Sequence, residues 1–415
     1  AMHWPYYQYQ TARGARRTPL HDRLLAAGAC MGETAGWERP NWYSTPGLNP
    51  RYEYSYGRQN WFEACRAECE AVRDAVALFD QTCFAKFIVQ GRDACAVLNR
   101  LSTANVDVPP GRIVYTQWLN DRAGIEADLT ITRLSEREYM VVTSAICQTR
   151  DLAWLRRAIE AQPDAHCTVT DVTSGIAMLG VMGPRSRELL QTVSGADLSN
   201  ETHPFGHSHE IEIGYARVRA SRITYVGELG WELYLPAEHC LDVYEQLLEA
   251  GAPLGLTHAG YHAMGACRVE KGYKHWSHDI GDEDTPLDAG LGFTVAWDKP
   301  GGFVGREALL AQKAAGPLRR RLVQVMLEDA SDTAPLLYHE EPIVRDGVIV
   351  GSIRSGAWGH RLGRSIGMGY VSCDDGVTAE WLAAGRWEVE VACRRHPCRV
   401  QLQPWYDPRN ERIRS

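Results

Sequence analysis

The stretch YTQWLNDRAGIEADLTITRL (115–134) constrains what this chain can fold into more than any other. Its second half, Leu129 to Thr132, alternates with β-branched residues, the pattern of a strand with one buried face. Gly124 supplies a turn before it, so the strand bearing Tyr115 and Gln117 closes a hairpin upon it. A lone acid, Asp128, stands at the mouth of that strand. A carboxylate entering a buried strand is costly to desolvate and needs either a hydrogen-bond partner or a chemical task. A turn aspartate held by backbone N–H groups satisfies the first need, and a working acid the second.

Composition narrows the classes. A chain of 415 residues has room for two or three domains with large cores. Its 45% hydrophobic and 23% charged residues are ordinary for a globular protein. The net charge of -8 gives no electrostatic case for a nucleic-acid partner. No apolar run approaches the roughly 20 residues of a membrane span, so no membrane association is expected. The N-terminus, AMHWPYYQYQ, lacks the pattern of a signal peptide, and Met2 reads as the natural start behind one additional residue. Twelve cysteines are scattered along the chain. Cys65 and Cys69 are four apart on an expected helix, Cys393 and Cys398 flank a short basic run, and neither spacing makes a zinc knuckle. Reduced, mostly buried thiols in the cytoplasm, and no metal site, are the expectation.

Taken in order, residues 1–60 are rich in Pro, Gly, Tyr and Trp, with a helical patch near Leu20–Ala27. The segment from Gly36 to Trp42 reads as an irregular aromatic loop that must pack on something. Helical spacing runs from Gln59 to Val76 and ends around Ala77-Leu78-Phe79, with Asp80 as a turn. Strands are expected at 84–89, 139–143, 177–181, 216–223 and 232–235, and helices at 93–101, 150–161, 186–192 and 240–250. Their order is no simple βαβ alternation, which favours an α+β core over a doubly wound sheet. Beyond a polar connection at 311–321, six short strands with turns at Asp346-Gly347 and Asp375-Gly376 predict a small all-β domain. The expected division is 1–317 for the core and 318–415 for this domain.

Two further constellations carry charge. Glu232 follows Gly227 and Gly230 and enters a strand between Trp231 and Leu233. There it could accept two parallel N–H bonds from a flat heterocycle, or simply face solvent. Arg268 and Glu270, two apart, cannot face each other on a helix, and the run to Trp276 reads equally as a salt-bridged surface helix end. No dinucleotide fingerprint, Walker lysine or nucleophile elbow is present.

These pieces together resemble the folate-dependent aminomethyltransferase family, the T-protein of glycine cleavage. They are closest to the folate-binding C-terminal half of dimethylglycine and sarcosine dehydrogenases. The matching stretches run in the family's order: GWERPNW (36–42), FDQTCFAKFIVQG (79–91), the hairpin at 115–134, LGVMGPRSRELL (179–190), YVGELGWELYLP (225–236), RVEKGYKHW (268–276), DTPLDAGLGF (284–293), FVGREAL (303–309) and SGAWGHRLGRSIGMGYV (355–371). The first of them favours the dehydrogenase branch. The resemblance implies a three-lobed core around a central hole, with a C-terminal β-barrel. It implies that Asp128 is the catalytic acid beside the reactive folate nitrogens, and that Tyr115 and Tyr225 belong to the folate pocket. Glu232 would read the pterin edge, Phe84 would wall the ring, and Val142 and Ser144 would touch folate. Ser144 departs from an asparagine, and Met264 stands where the T-protein carries a folate-contacting arginine.

The function so implied is tetrahydrofolate-dependent transfer of a methyl or methylene group from a small methylated donor. The rival is a non-catalytic folate-binding subunit partnered with a separate flavin-dependent amine dehydrogenase. The chain carries no flavin-type fingerprint, so amine oxidation is expected to need a separate oxidoreductase.

Overall fold

The computed structural model describes residues 3–415; Ala1 and the expected start at Met2 lie outside the described residues. The chain opens with helix α1 (His21–Ala26) and a two-stranded ribbon, β1 (Ala29–Thr34) and β2 (Trp37–Tyr43). The segment expected as an irregular loop is thus a strand. Its register is set by Ala35 and Gly36, both with positive φ (49° and 79°), the two-residue turn whose twist suits a hairpin. Pro40 is tolerated because the ribbon has no third strand and its pairing shifts beside that residue. Trp42 is fully buried, stacked on Trp61.

Helix α2 (Phe62–Asp74) turns its apolar spacing inward, and strand β3 (Val76–Asp80) follows at once. Here the expected helix end and turn are corrected: all five residues of β3 are buried. A short apolar run without alternation marks a strand covered on both faces, which periodicity alone does not separate from a helix end. Next come β4 (Ala85–Gln90), α3 (Ala94–Leu101), β5 (Ile113–Leu119), β6 (Ile125–Ser135), β7 (Glu138–Thr143), α4 (Gln148–Glu160) and β8 (Thr168–Asp171). The strands form one sheet in the order β5-β6-β7-β4-β8. Phe87, Val89, Trp118, Leu129, Ile131 and Val141 project from one face into a core shared with Leu98 of α3 and Leu155 of α4. The alternate residues, among them Asp128, Thr130 and Val142, therefore point the other way.

A second sheet is built from β3 and the segments β9 (Ile176–Met182), β10 (Ser208–Ile213), β11 (Ala216–Ser221), β12 (Gly230–Pro236) and β13 (Leu256–His258). Its order is β10-β11-β12-β9-β3-β13. Helices α5 (Ser186–Ser194) and α6 (Cys240–Gly251) cover its outer face through Leu189, Leu190, Val243 and Leu247. Where the inner faces of the two sheets meet, Met140 and Val142 pack on Met178 and Tyr234.

Helix α7 (Tyr261–Glu270) is a buried helix rather than a surface end, with Arg268 and Glu270 both inside. As their spacing requires, they do not pair: Arg268 binds Asp279 and Glu270 binds Arg73. Helix α8 (Arg306–Ala314) leads to a closed barrel of β14 (Arg320–Leu327), β15 (Pro342–Arg345), β16 (Val348–Gly359), β17 (Arg364–Ser372), β18 (Trp387–Val391) and β19 (Arg394–Gln401), with α9 (Ala379–Ala384) before β18. Closure removes every exposed edge, and Val323, Val325, Ile343, Ile353 and Val389 fill the interior. The protein is thus the expected α+β fold with a C-terminal barrel. Among the described residues no helix is long and apolar enough to cross a membrane.

Candidate functional site

Asp128 sits inside β6 rather than at its mouth, paired in register with Gln117 of β5. Gln117 Nε2 donates to Asp128 Oδ1 at 2.8 Å. The Gln117 side-chain oxygen Oε1 in turn lies 2.6 Å from Thr294 Oγ1, whose hydroxyl is 2.7 Å from the Leu291 carbonyl. Burial pushes the Asp128 carboxyl up to about 6, while Gln117, the Tyr115 hydroxyl and the Lys274 ammonium each hold it lower. No cation forms an ion pair with it among the described residues. Tyr115, two residues before Gln117, lies against Asp128, and its own ionisation is strongly suppressed by burial and then by that carboxylate. Phe293, 78% exposed, stands 6.5 Å from the Tyr115 ring. Tyr225 is close enough to feel the Asp128 charge and donates to the Lys274 carbonyl at 2.8 Å. Tyr115, Asp128 and Tyr225 therefore form one group.

The second group lies where the two sheets meet. Glu232, in the middle of β12, is only 8% exposed, which removes the reading of a solvent-facing glutamate. Tyr234, two residues on and therefore on the same face, donates to Glu232 Oε2 at 2.6 Å. Burial pushes the Glu232 carboxyl up to about 7, and no cation offsets it. Phe84 and Val142 pack with Tyr234 and Met178 into an apolar cluster beside it. Opposite Glu232 in the sheet is Gly180, whose missing side chain leaves room for the Gln81 amide: a Cβ there would lie 2.3 Å from Gln81 Oε1 and displace it. That amide oxygen is itself buried and accepts from no group among the described residues. Glu232 and Gln81 thus place acceptor oxygens beside that cluster, with Tyr234 donating to one of them.

The two groups share a surface. Thr130, two residues from Asp128, pairs with Tyr115 on one side and Val142 on the other, so the row from the first group runs across the sheet to the Val142 that packs on Tyr234. Ser144 follows β7, at the start of the turn leading into α4. Met264 is buried in the hydrophobic core around α2 and α7. Sequence reasoning missed Tyr234, Gln81, Thr294 and Phe293. Tyr234 was within reach, since a strand places residue i+2 beside residue i. Thr294 was not, because 177 positions separate it from Gln117.

An outer groove of about 580 Å³ lined by Arg100, Asp121, Lys299 and Arg306 contains none of these residues.

The GCVT N-terminal domain model matches residues 20–299, and the glycine cleavage T-protein C-terminal barrel domain model matches 320–407. A 4-methylaminobutanoate oxidase (formaldehyde-forming) of Paenarthrobacter nicotinovorans is 46% identical over all of this chain and 49% of its own length. The human mitochondrial sarcosine dehydrogenase is 35% identical over 99% of this chain and 48% of its own. The chain therefore spans about half the length of these curated relatives. The crystal structure of glycine cleavage system aminomethyltransferase T from Bartonella henselae superimposes with a TM-score of 0.79 at 25% identity, covering 95% of this chain and 98% of that one. By sequence and by fold, the chain belongs to the glycine cleavage T-protein family.

Proposed function

We propose that this protein is a tetrahydrofolate-dependent one-carbon transferase acting on a small methylated donor. One observation carries the reading: the junction of the two sheets is rich in acceptors and poor in donors. The Glu232 carboxyl has only the Tyr234 hydroxyl, and Gln81 Oε1 has no partner among the described residues. A flat heterocycle with an amino group beside a ring N–H supplies the missing donors, and Phe84, Val142 and Tyr234 wall its faces. The residues present therefore fit a pterin.

Tetrahydrofolate supplies the nucleophilic nitrogen that accepts the carbon. Asp128, half ionised at about pH 6, takes the proton that this nitrogen sheds as its bond to carbon forms. Gln117 fixes the carboxylate's direction, and Lys274 keeps it ionisable near neutrality. Tyr115 and Tyr225 exclude water from one side. The relatives' oxidase and dehydrogenase names favour a donor made electrophilic by oxidation, delivered by a separate oxidoreductase or by sequence outside this chain. Unpaired thiols throughout suit a reducing, cytoplasmic setting.

Calorimetry with tetrahydrofolate tests the binding half of this reading, and absence of heat at high micromolar ligand ends it. Turnover of methylated amines, methoxy aromatics and sulfonium compounds, each with and without tetrahydrofolate, tests the chemical half.

A further inference from the structure

Away from the carboxylates, the junction of α2, α7 and the barrel gathers soft ligands. Cys65 and Cys69 are one helical turn apart on α2, so their thiols leave the same face of the helix. His360, in the loop after β16, packs its ring on Phe62 of that helix at 5.1 Å between centroids. The two sulfurs and an imidazole nitrogen all lie within 4.8 Å of one another. Cys267 of α7 adjoins Cys69 closely enough that each thiol shifts the other's proton affinity. One or two buried thiols behave as small apolar groups and need no other account. Here two converge, with Cys267 beside Cys69 but outside the trio, on a histidine whose Nδ1 is buried and meets no hydrogen-bond partner among the described residues. An orphaned buried nitrogen calls for an occupant.

We propose that Cys65, Cys69 and His360 bind a thiophilic d10 divalent cation of the zinc class, with Cys267 as fourth ligand. Tetrahedral coordination at a Zn–S distance of about 2.3 Å puts neighbouring ligand atoms about 3.8 Å apart, so the spread of Cys65, Cys69 and His360 closes by side-chain rotation, and Cys267 completes the set by swinging in from beside Cys69. Binding releases one proton from each ligating thiol, leaving three thiolates, one neutral imidazole and a net charge of -1 around the ion. Arg58 and Arg66 beside His360 offset that charge, while Arg73 is already held by Glu228 and Glu270, and Glu270 and Glu68 face the thiols from the acidic side. Because His360 belongs to the barrel and Cys65 and Cys69 to the core, the ion would fasten one to the other. Sequence spacing concealed the set, since its members come from three elements.

The full chain, reduced and treated with a chelator, is titrated with Co(II) and Zn(II). The expected result is one equivalent of cobalt with tetrahedral d–d bands and thiolate charge transfer, displaced by zinc. Zinc should also raise the melting temperature and shield Cys65 and Cys69 from alkylation, with affinity that rises with pH. Cys65→Ser should abolish the charge transfer. Should that variant fold poorly, His360→Ala, on a half-buried loop, should weaken zinc binding by at least roughly tenfold. Cys393→Ser, at an exposed thiol, should change nothing. Zinc binding unaltered in His360→Ala, or lost in Cys393→Ser, overturns the proposal, as does a Cys69–Cys267 disulfide in protein isolated without reductant.

Discussion

Two places in this molecule bury a pair of acids, and they treat them in opposite ways. At the first, Arg73, Glu228 and Glu270 are each no more than 2% exposed. The guanidinium lies between the two carboxylates, with Arg73 Nη2 to Glu270 Oε2 at 2.6 Å and Nη1 to Glu228 Oε1 at 3.2 Å. It also donates to the Val226 carbonyl at 2.6 Å and packs under the Tyr406 ring. Glu270 gains the Arg361 backbone N–H, and Glu228 gains the Tyr406 hydroxyl and Arg412. At the second, Glu232 is buried with the Tyr234 hydroxyl as its partner, and Asp128, half-buried, has the Gln117 amide and the Tyr115 hydroxyl. The first arrangement is closed, because every charge is met within the fold. The second leaves capacity to spare, and its acids are held near neutrality where a proton moves cheaply. Matched burial marks a joint; mismatched burial marks a place built to receive something.

The contrast can be broken most severely at Asp128. Asp128→Asn keeps the volume and one acceptor oxygen but cannot take a proton, so turnover should fall by roughly 10²–10⁴-fold with tetrahydrofolate affinity largely kept. Normal turnover in folded variant protein would place Asp128 among structural residues. Next is Arg73→Met, which strands two buried carboxylates and should cost about 3–5 kcal/mol of stability in denaturant titration. Rate per folded molecule should be unchanged, and a specific loss of rate would erase the distinction between the two clusters. Glu232→Gln should weaken tetrahydrofolate by roughly 1.5–3 kcal/mol by calorimetry, without a comparable loss of melting temperature.

The smallest effect concerns pH. Asp128 in the folded protein titrates at about 6, above its unfolded range, so the folded state holds a proton that the unfolded chain has released. Its contribution to stability is complete below the unfolded range and is lost as pH rises through about 6. Asp128→Asn should therefore melt about 2–4 °C above wild type at pH 8 and level with it at pH 4. A variant that melts lower at pH 8 would mean that the carboxylate supports the hairpin.

The hairpin itself was legible from residues alone, because Gly124 and the alternation after it leave little choice. All six barrel strands were also legible as short apolar runs, with Asp-Gly pairs marking the β15–β16 turn and the connection after β17. Strand β3 was not, since an apolar run directly after a helix looks like more helix until β9 and β13 flank it. The strand character of Trp37–Tyr43 hid behind Pro40 and was set by the turn at Ala35-Gly36. At the site, Asp128 and Glu232 stood out as acids in apolar strands, but their raised proton affinity depends on which neighbours failed to arrive. That is a property of three-dimensional surroundings, and no local pattern writes it down.

The Gln117 amide has two faces, and Asp128 touches one while Thr294 touches the other. With Asp128 ionised, the NH₂ end faces the carboxylate and the carbonyl takes the Thr294 proton. With Asp128 protonated, the amide can turn over: its oxygen receives the acid's O–H, its NH₂ donates to Thr294 Oγ1, and the threonine hydroxyl goes to the Leu291 carbonyl. Both settings keep the chain from Asp128 through Gln117 to Thr294 hydrogen-bonded without moving a heavy atom of the backbone. Gln117 is thus a coin whose upward face reports whether the acid is loaded, and Thr294, remote in sequence, is the table it lands on.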